Sequence, residues 1–471
     1  MTIDVTYLNE HIELFDHWYD ECRAAEFQGA VRLYNRLIGP VTSLTLIRPE
    51  VADLSMYSAF CRHVPIEGLI RDLHVKNRPI AAPVAGGGKG ANPLRPILGA
   101  LGEMAERLLA VMHFTSLAER VRYGSYTEMT TAGFRAIEPQ RLPLFAAEQY
   151  NASGFIYERF TTDARLGWVE GIELLSGQSI WVPAQLVLMY YRTLNGETPI
   201  GYATTAGLAS HTSARSSILH GLFEVIERDA LNLRWYSGLA PSTVDVDLES
   251  VLGADLDVPR ARMSSPHLDM KVFDLTLDST VPVLAVTGID RSRRERAFVG
   301  GTGAAANRSE ALGQALFELG QCQTGFHFED PFGRNPILAD TELADVKEFF
   351  DAPLFYGHAG NLPRVQWFTA GTERVGWADI PTLSGSDEKV YETMLSWLRQ
   401  RGFHPIVFEF GDACPSGMSL TKVFVPELTQ ACPPRNPMLG HPRFLEMPQT
   451  LGLERRRLSF ADLKTDPIPF A

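Results

Sequence analysis

Three stretches of the chain carry the same polar signature on otherwise apolar helical sequence. LGEMAER sets Glu103 and Glu106 three residues apart with Arg107 behind them. LFEVIER repeats the arrangement with Glu224, Glu227 and Arg228, and LFELGQ carries Glu318 and Gln321. Residues three apart share a helical face, so each stretch projects two polar groups from one side while Leu, Ala or Phe cover the others. Two carboxylates on one face repel by roughly a few tenths of a kcal/mol even on an exposed helix. Burial raises that cost unless a cation lies between them. A fold that hides such helices must therefore bring positive charge to them. Magnesium takes oxygen ligands and bridges carboxylates to phosphates while keeping waters. Arg107 and Arg228 suit phosphate oxygens as planar forks. One ExxER alone reads as a solvated amphipathic helix; the recurrence is what points to an anion and metal site.

Each helix follows a run rich in Gly, Ala or Ser. APVAGGGKGANP, before the first, reads as a loop in which Gly86, Gly87, Gly88 and Gly90 take angles closed to other residues. It is not a P-loop, because Gly90 follows Lys89 where Ser or Thr is needed and Pro83 stands at the first glycine. Lys89 and the loop backbone remain a candidate phosphate cradle. RAFVGGTGAAANRSEALGQALFELGQCQ reads as strand, glycine turn and helix. Its GTGAAA mimics a dinucleotide fingerprint, yet no ribose-binding acid ends a following strand. There is no GxSxG elbow, and His220, one turn before Glu224, reads as a packing residue.

Strand-like GWVEGIELL, SIWVPAQLVLMYY, DMKVFDLTL, VPVLAVTGID and HPIVFEF alternate with helical segments such as DEKVYETMLSWLRQRG. That order predicts a mixed α/β (α+β) protein. Residues 1–78 form an N-terminal extension, 79–385 a core holding the three helices, and 386–471 a C-terminal segment. Acids outnumber bases 56 to 43, a formal charge of −13, which argues against a nucleic-acid partner. The five cysteines are scattered without a CxxC pair, so neither a zinc ribbon nor a disulfide framework is indicated. The N-terminus lacks the order of a signal peptide, and no apolar run is long enough for a membrane span, so a cytoplasmic protein with no membrane partner is expected.

Taken together, GGGKGANPLRPILGALGEMAER, GWVEGIELLSGQSIWVPAQLV, GLASHTSARSSILHGLFEVIERDA, VFDLTLDSTVPVLAVTGID and GGTGAAANRSEALGQALFELGQ resemble the YcaO superfamily in order and spacing, over roughly residues 79–330. The resemblance implies a YcaO-type fold, ATP and Mg2+ as cofactors, and activation of a backbone amide in a ribosomally made precursor peptide. It implies azoline formation by a cyclodehydratase, with thioamide formation as one alternative and a non-catalytic scaffold of the same fold as another. By that resemblance Glu103, Glu106, Glu224 and Glu227 are the metal set, and Lys89, Gly90, Thr212, Arg228, Glu318 and Gln321 border the nucleotide. Glu227 and Arg228 are catalytic, together with Pro467 and Pro469 of a tail that resembles the PxPxP ending of azoline-forming members. Two departures stand out: Ser216 replaces a usual acid, and Ala471 replaces the last proline. A separate leader-binding partner with an E1-like or winged-helix domain is implied, and a homodimer is compatible.

Overall fold

A computed structural model describes Tyr34 and residues 41–47, 53–63, 85–91, 94–118, 120–189, 196–211, 213–255, 267–292, 296–329, 351–410 and 419–470, with a few single positions besides. Three sheets make up its frame. The first runs in the order β1 (Val41–Ile47), β2 (Tyr57–His63), β3 (Ala85–Gly90), all antiparallel. Helix α1 (Leu94–Ala118) follows β3 and lies on this sheet.

The second sheet has the order β4 (Arg122–Gly124), β5 (Leu166–Glu173), β13 (Ile406–Glu409), β14 (Ser419–Phe424), β7 (Leu208–His211), with β6 (Ser179–Pro183) paired to β5. The third has the order β11 (Phe298–Ala304), β10 (Val283–Ile289), β9 (Asp269–Asp274), β8 (Ser242–Asp245), β12 (Arg374–Gly376). Helix α2 (Ala214–Tyr236) packs against β14 and β7 on one side and β11 and β10 on the other, so it lies in the seam between these two sheets. Its start is fixed by Ser213, whose hydroxyl accepts from the Ser216 N–H at 3.1 Å. Helix α3 (Arg308–Glu329) covers β11 and β10 from the opposite face.

Because β10 is covered on both faces its first four residues, Val283 to Val286, read as an unbroken apolar run. Val283 and Ala285 join the core around α2, while Leu284 and Val286 join the core under α3. The segment 386–471 supplies β13 and β14 to the same sheet as β5 and β7, so its backbone is woven into the middle of the chain. Among the described residues no helix is long and apolar enough to cross a membrane.

Two glycine-rich stretches depart from expectation. GGGKG is strand β3 and not a loop, and GGTG lies inside β11, with the helix beginning only at Arg308. The cause is packing rather than propensity. A Cβ on Gly88 would sit 1.7 Å from the Pro96 carbonyl, and one on Gly86 would sit 2.2 Å from the Ala100 carbonyl, both on α1. Gly301 and Gly303 meet Ala315 and Ala311 of α3 at 2.3 and 2.4 Å in the same way. Bare strands let two helices press directly onto backbone, a standard use of glycine in strands. No glycine turn separates β11 from α3 in the manner of a dinucleotide fold.

Candidate functional site

Each polar helix is preceded by an edge strand of a different sheet: β3 before α1, β7 before α2, β11 before α3. An edge strand has N–H groups without a ladder partner, and here the helical glutamates accept from them. Gly87 N–H donates to Glu103 Oε2 at 2.5 Å, Gly207 N–H to Glu224 Oε2 at 2.9 Å, and Thr302 N–H to Glu318 Oε2 at 3.2 Å. The sequence separations are 16, 17 and 16, so one strand–helix device is used three times. Two further bonds cross between units. Ser210 N–H on β7 donates to Glu106 Oε2 of α1 at 2.9 Å, and the Thr302 hydroxyl on β11 donates to Glu227 Oε1 of α2 at 2.5 Å. The glutamates thus join the three sheets at one place.

Positive charge is interleaved with them. Arg107 donates to Glu103 within α1, Arg228 Nε lies 4.0 Å from Glu224 Oε1, and Lys89 Nζ lies 3.7 Å from Glu318 Oε2. Gln321 faces β3 so closely that a Cβ on Gly87 would lie 2.3 Å from its Nε2. The side chains of Lys89 and Glu103 are each 33% exposed and that of Glu224 is 30% exposed, so the cleft opens to solvent.

Burial first, and then the Glu224 and Glu103 carboxylates, hold the Glu106 carboxyl well above its ordinary range. Burial also raises Glu224, opposed by Arg228, the Gly207 N–H and Lys422. Glu227 is pushed up to about 7 by burial, with Arg228 opposing and Glu318 adding to the rise. Acids that raise one another in this way gain from a dication, and the oxygen-only donor set suits Mg2+. Among the described residues, however, no group of three or more His, Cys, Asp or Glu side chains converges closely enough to hold a metal by itself. That is the ordinary condition for Mg2+, which takes one or two carboxylates and completes its shell with phosphate oxygens and water. The residues present fit Mg2+ with a nucleotide better than a closed metal cage.

Of the residues singled out from sequence, Glu103, Glu106, Glu224, Glu227, Arg228, Glu318, Gln321 and Lys89 are brought together. Gly90 belongs to the α1-facing side of β3, where a Cβ would sit 2.8 Å from Arg95 Cβ, so what it offers a ligand is backbone. Thr212 lies outside the described residues. Ser216, which stands where the resemblance would place an acid, accepts from the Ser213 hydroxyl at 2.8 Å. Pro467 and Pro469 are buried, and the Tyr356 hydroxyl donates to the Pro467 carbonyl at 2.9 Å. The residue after Pro469, Phe470, lies against β11: a Cβ on Gly300, two residues from Thr302, would sit 2.5 Å from its ring.

Two residues were missed. In sequence Thr302 is only part of a nucleotide-fingerprint mimic, since its bond to Glu227 needs the tertiary fold. Lys422 on β14 is 3% exposed and donates to the Thr204 carbonyl. Burial pulls its ammonium down to about 8 against the opposing effect of Glu224. A lysine in an apolar strand is the signal that could have found it.

Residues 87–429 match the family model described as YcaO cyclodehydratase, ATP- and Mg2+-binding. The chain belongs to the YcaO family. ATP and Mg2+ are the family's cofactors, in keeping with the donor set just described. An uncharacterised Methanothermobacter thermautotrophicus protein is 30% identical over 270 residues, 56% of this chain and 66% of that protein. An uncharacterised protein in the tfuA 3′ region of Rhizobium leguminosarum bv. trifolii is 27% identical over 266 residues, 54% of this chain and 57% of that one. The chain therefore spans less than two thirds of the length of these relatives.

Among solved structures, a heterocyclase in complex with substrate and cofactor superposes with TM-score 0.72 at 20% identity, covering 94% of this YcaO chain and 56% of that one. YcaO from Methanopyrus kandleri, bound with AMPPCP and Mg2+, gives 0.57 at 17% identity over 88% of this chain and 91% of that one. The Escherichia coli microcin synthetase McbBCD complex with pro-MccB17 bound gives 0.54 at 16% identity over 93% and 98%. At these identities the likeness establishes the fold: a YcaO heterocyclase-type architecture.

Proposed function

We propose that this YcaO protein activates backbone amides of a ribosomally made precursor peptide with ATP, and that Cys, Ser or Thr side chains then close azoline rings. The observation that carries this reading is the meeting of Glu103, Glu106, Glu224, Glu227 and Glu318 with Lys89, Arg107 and Arg228 where three helices face three edge strands. Glu103, Glu106, Glu224 and Glu227 would hold Mg2+; Lys89, the Gly90 backbone, Thr212, Arg228, Glu318 and Gln321 would border the nucleotide. ATP, when bound with Mg2+, supplies a phosphoryl group that turns the amide oxygen into a leaving group.

The chain's own residues divide the remaining work. Thr302 holds Glu227 by a hydrogen bond, and the edge-strand N–H groups hold Glu103, Glu224 and Glu318, which orients these acids before any ligand arrives. Arg228 is set to spread charge over a transferring phosphoryl group. Pro467 and Pro469 would serve the site as part of the tail whose Phe470 packs against Gly300 of β11. A separate leader-binding protein with an E1-like or winged-helix domain would present the peptide, as the bound precursor in the microcin synthetase complex suggests by analogy.

Intact-mass spectrometry of a Cys/Ser/Thr-containing precursor peptide, incubated with the protein, its partner and Mg-ATP without a sulfur source, tests the reading. Loss of one water per modified residue, coupled to ATP consumption, is expected. ATP turnover that ignores the peptide would overturn it in favour of a small-molecule kinase.

A further inference from the structure

We propose that Arg443 is a positioning residue that bolts the back of α2, at Asp229, to the β9–β10 turn of the third sheet, and so sets where Glu224, Glu227 and Arg228 stand; this rests on the nucleotide-site reading above. Arg443 opens helix α7 (Arg443–Thr450), which follows α4 (Asp351–Gly357), α5 (Leu362–Thr369) and α6 (Asp387–Arg401) in the chain. Its side chain is 10% exposed. The guanidinium is used on two edges at once. Nε and Nη2 donate to Asp229 Oδ1 and Oδ2 at 3.2 and 2.6 Å. Nη1 and Nη2 donate to Asp278 Oδ2 and Oδ1 at 3.2 and 3.0 Å.

The partners explain what is being held. Asp229 lies two residues beyond Glu227, about 200° around the helix, so it faces away from the acids of the site. It also accepts from the Thr429 N–H and hydroxyl at 2.7 and 2.9 Å, just beyond β14 of the second sheet. Asp278 sits in the turn between β9 and β10 of the third sheet and pairs with Arg401 of α6 as well. The guanidinium therefore ties α2 to the β9–β10 turn, through the same Asp229 carboxylate that holds α2 to the segment beyond β14. Asn232, nearly one turn on, adds its Nδ2 to the Gln430 carbonyl at 2.5 Å, on the same side.

The front of α2 has matching demands. Glu224 must meet Gly207 beside β7, and Glu227 must meet Thr302 on β11, so the helix has to be placed against both sheets together. A buried ion pair adds little stability over a well-packed apolar substitute, but two bidentate forks impose geometry. Displacements of order 1 Å in such a site cost on the order of a hundredfold.

Two variants and one ligand test this. Arg443→Lys keeps the charge and loses both forks. Asp229→Asn/Arg443→Met removes charge from both ends and leaves Asp278 to Arg401, so it leaves no orphaned buried charge and stands in should the single variant fail to fold. Binding of AMPPCP is titrated with Mg2+ by calorimetry, beside the melting temperature of each protein. The half-saturating Mg2+ concentration is expected to rise about tenfold in each folded variant, and to stay raised in the double variant even where its melting temperature returns near wild type. A wild-type Mg2+ requirement in any folded variant would overturn the proposal. Failure of the wild type itself to bind AMPPCP with Mg2+ would instead defeat the nucleotide-site reading.

Discussion

Glu227 draws together the demands placed on single residues. Burial pushes its carboxyl up to about 7, while Arg228 and the Thr302 hydroxyl favour the charged form and oppose that rise. Glu227→Gln keeps an oxygen for the Thr302 hydroxyl and removes only the charge. We expect ATP-dependent peptide processing to fall at least about a hundredfold while the melting temperature is held or raised; near-wild-type processing would remove Glu227 from the site. His441 offers a separate test of the fold. Its Nδ1 accepts from the Arg443 N–H and its Nε2 faces the Pro426 carbonyl, with Asp229, Glu427 and the Arg443 guanidinium as charged neighbours. Burial lowers its pKa from 6.5 to about 4. Between those values the unfolded chain binds the extra proton, so stability is complete above pH 6.5 and declines as pH falls through the window. The loss from pH 7 to pH 5 is about 2 kcal/mol. Urea midpoints at the two pH values should converge in His441→Gln, and an unchanged gap would contradict the assignment.

Elements explain where the sequence was legible and where it was not. The pairing of Glu103 with Glu106, and of Glu224 with Glu227, is visible as helical periodicity, because a helix face depends only on local spacing. The strands β3 and β11 were not, because glycine has a low local preference for a strand and only the helix pressed against each explains it. Gly88 and Gly102 separate the two meanings of glycine. A Cβ on Gly88 would strike the Pro96 carbonyl at 1.7 Å and the Ala100 nitrogen at 2.5 Å, whereas one on Gly102, within α1, meets nothing within 4 Å. Gly88→Ala should therefore destabilise by several-fold more than the roughly 1 kcal/mol that Gly102→Ala should add by its better helix propensity. Chemical denaturation of the two variants checks this; a tolerated Gly88→Ala would show that α1 does not rest on β3. Edge-strand N–H groups donating to glutamates sixteen or seventeen residues later are equally invisible in sequence, since that register emerges only from the fold.

At the scale of the whole molecule, the chain closes on itself around the site. The segment 466–470 is fastened to α2, α4 and α5. The Trp235 Nε1 donates to the Asp466 carbonyl at 2.7 Å, and the Phe470 ring lies 6.3 Å from Phe298 and 5.5 Å from Phe368. Its resemblance to a proline-rich tail was legible; that Phe470 would fill the space beside Gly300 was not, because the pocket is assembled from residues far apart in sequence. Phe470→Ala should cost about 3 kcal/mol or more in stability. Removal of residues 467–471 should lower processing more than nucleotide binding. Equal losses of the two would make the segment a fold element alone.

Three strand–helix units would share one nucleotide, and the direct measurement is calorimetric titration of AMPPCP with Mg2+ into variants that each alter one unit: Glu106→Gln, Glu224→Gln and Glu318→Gln. Each is expected to weaken binding by about ten- to a hundredfold while the protein stays folded. Wild-type affinity in any one of the three would show that its helix does not wall the site.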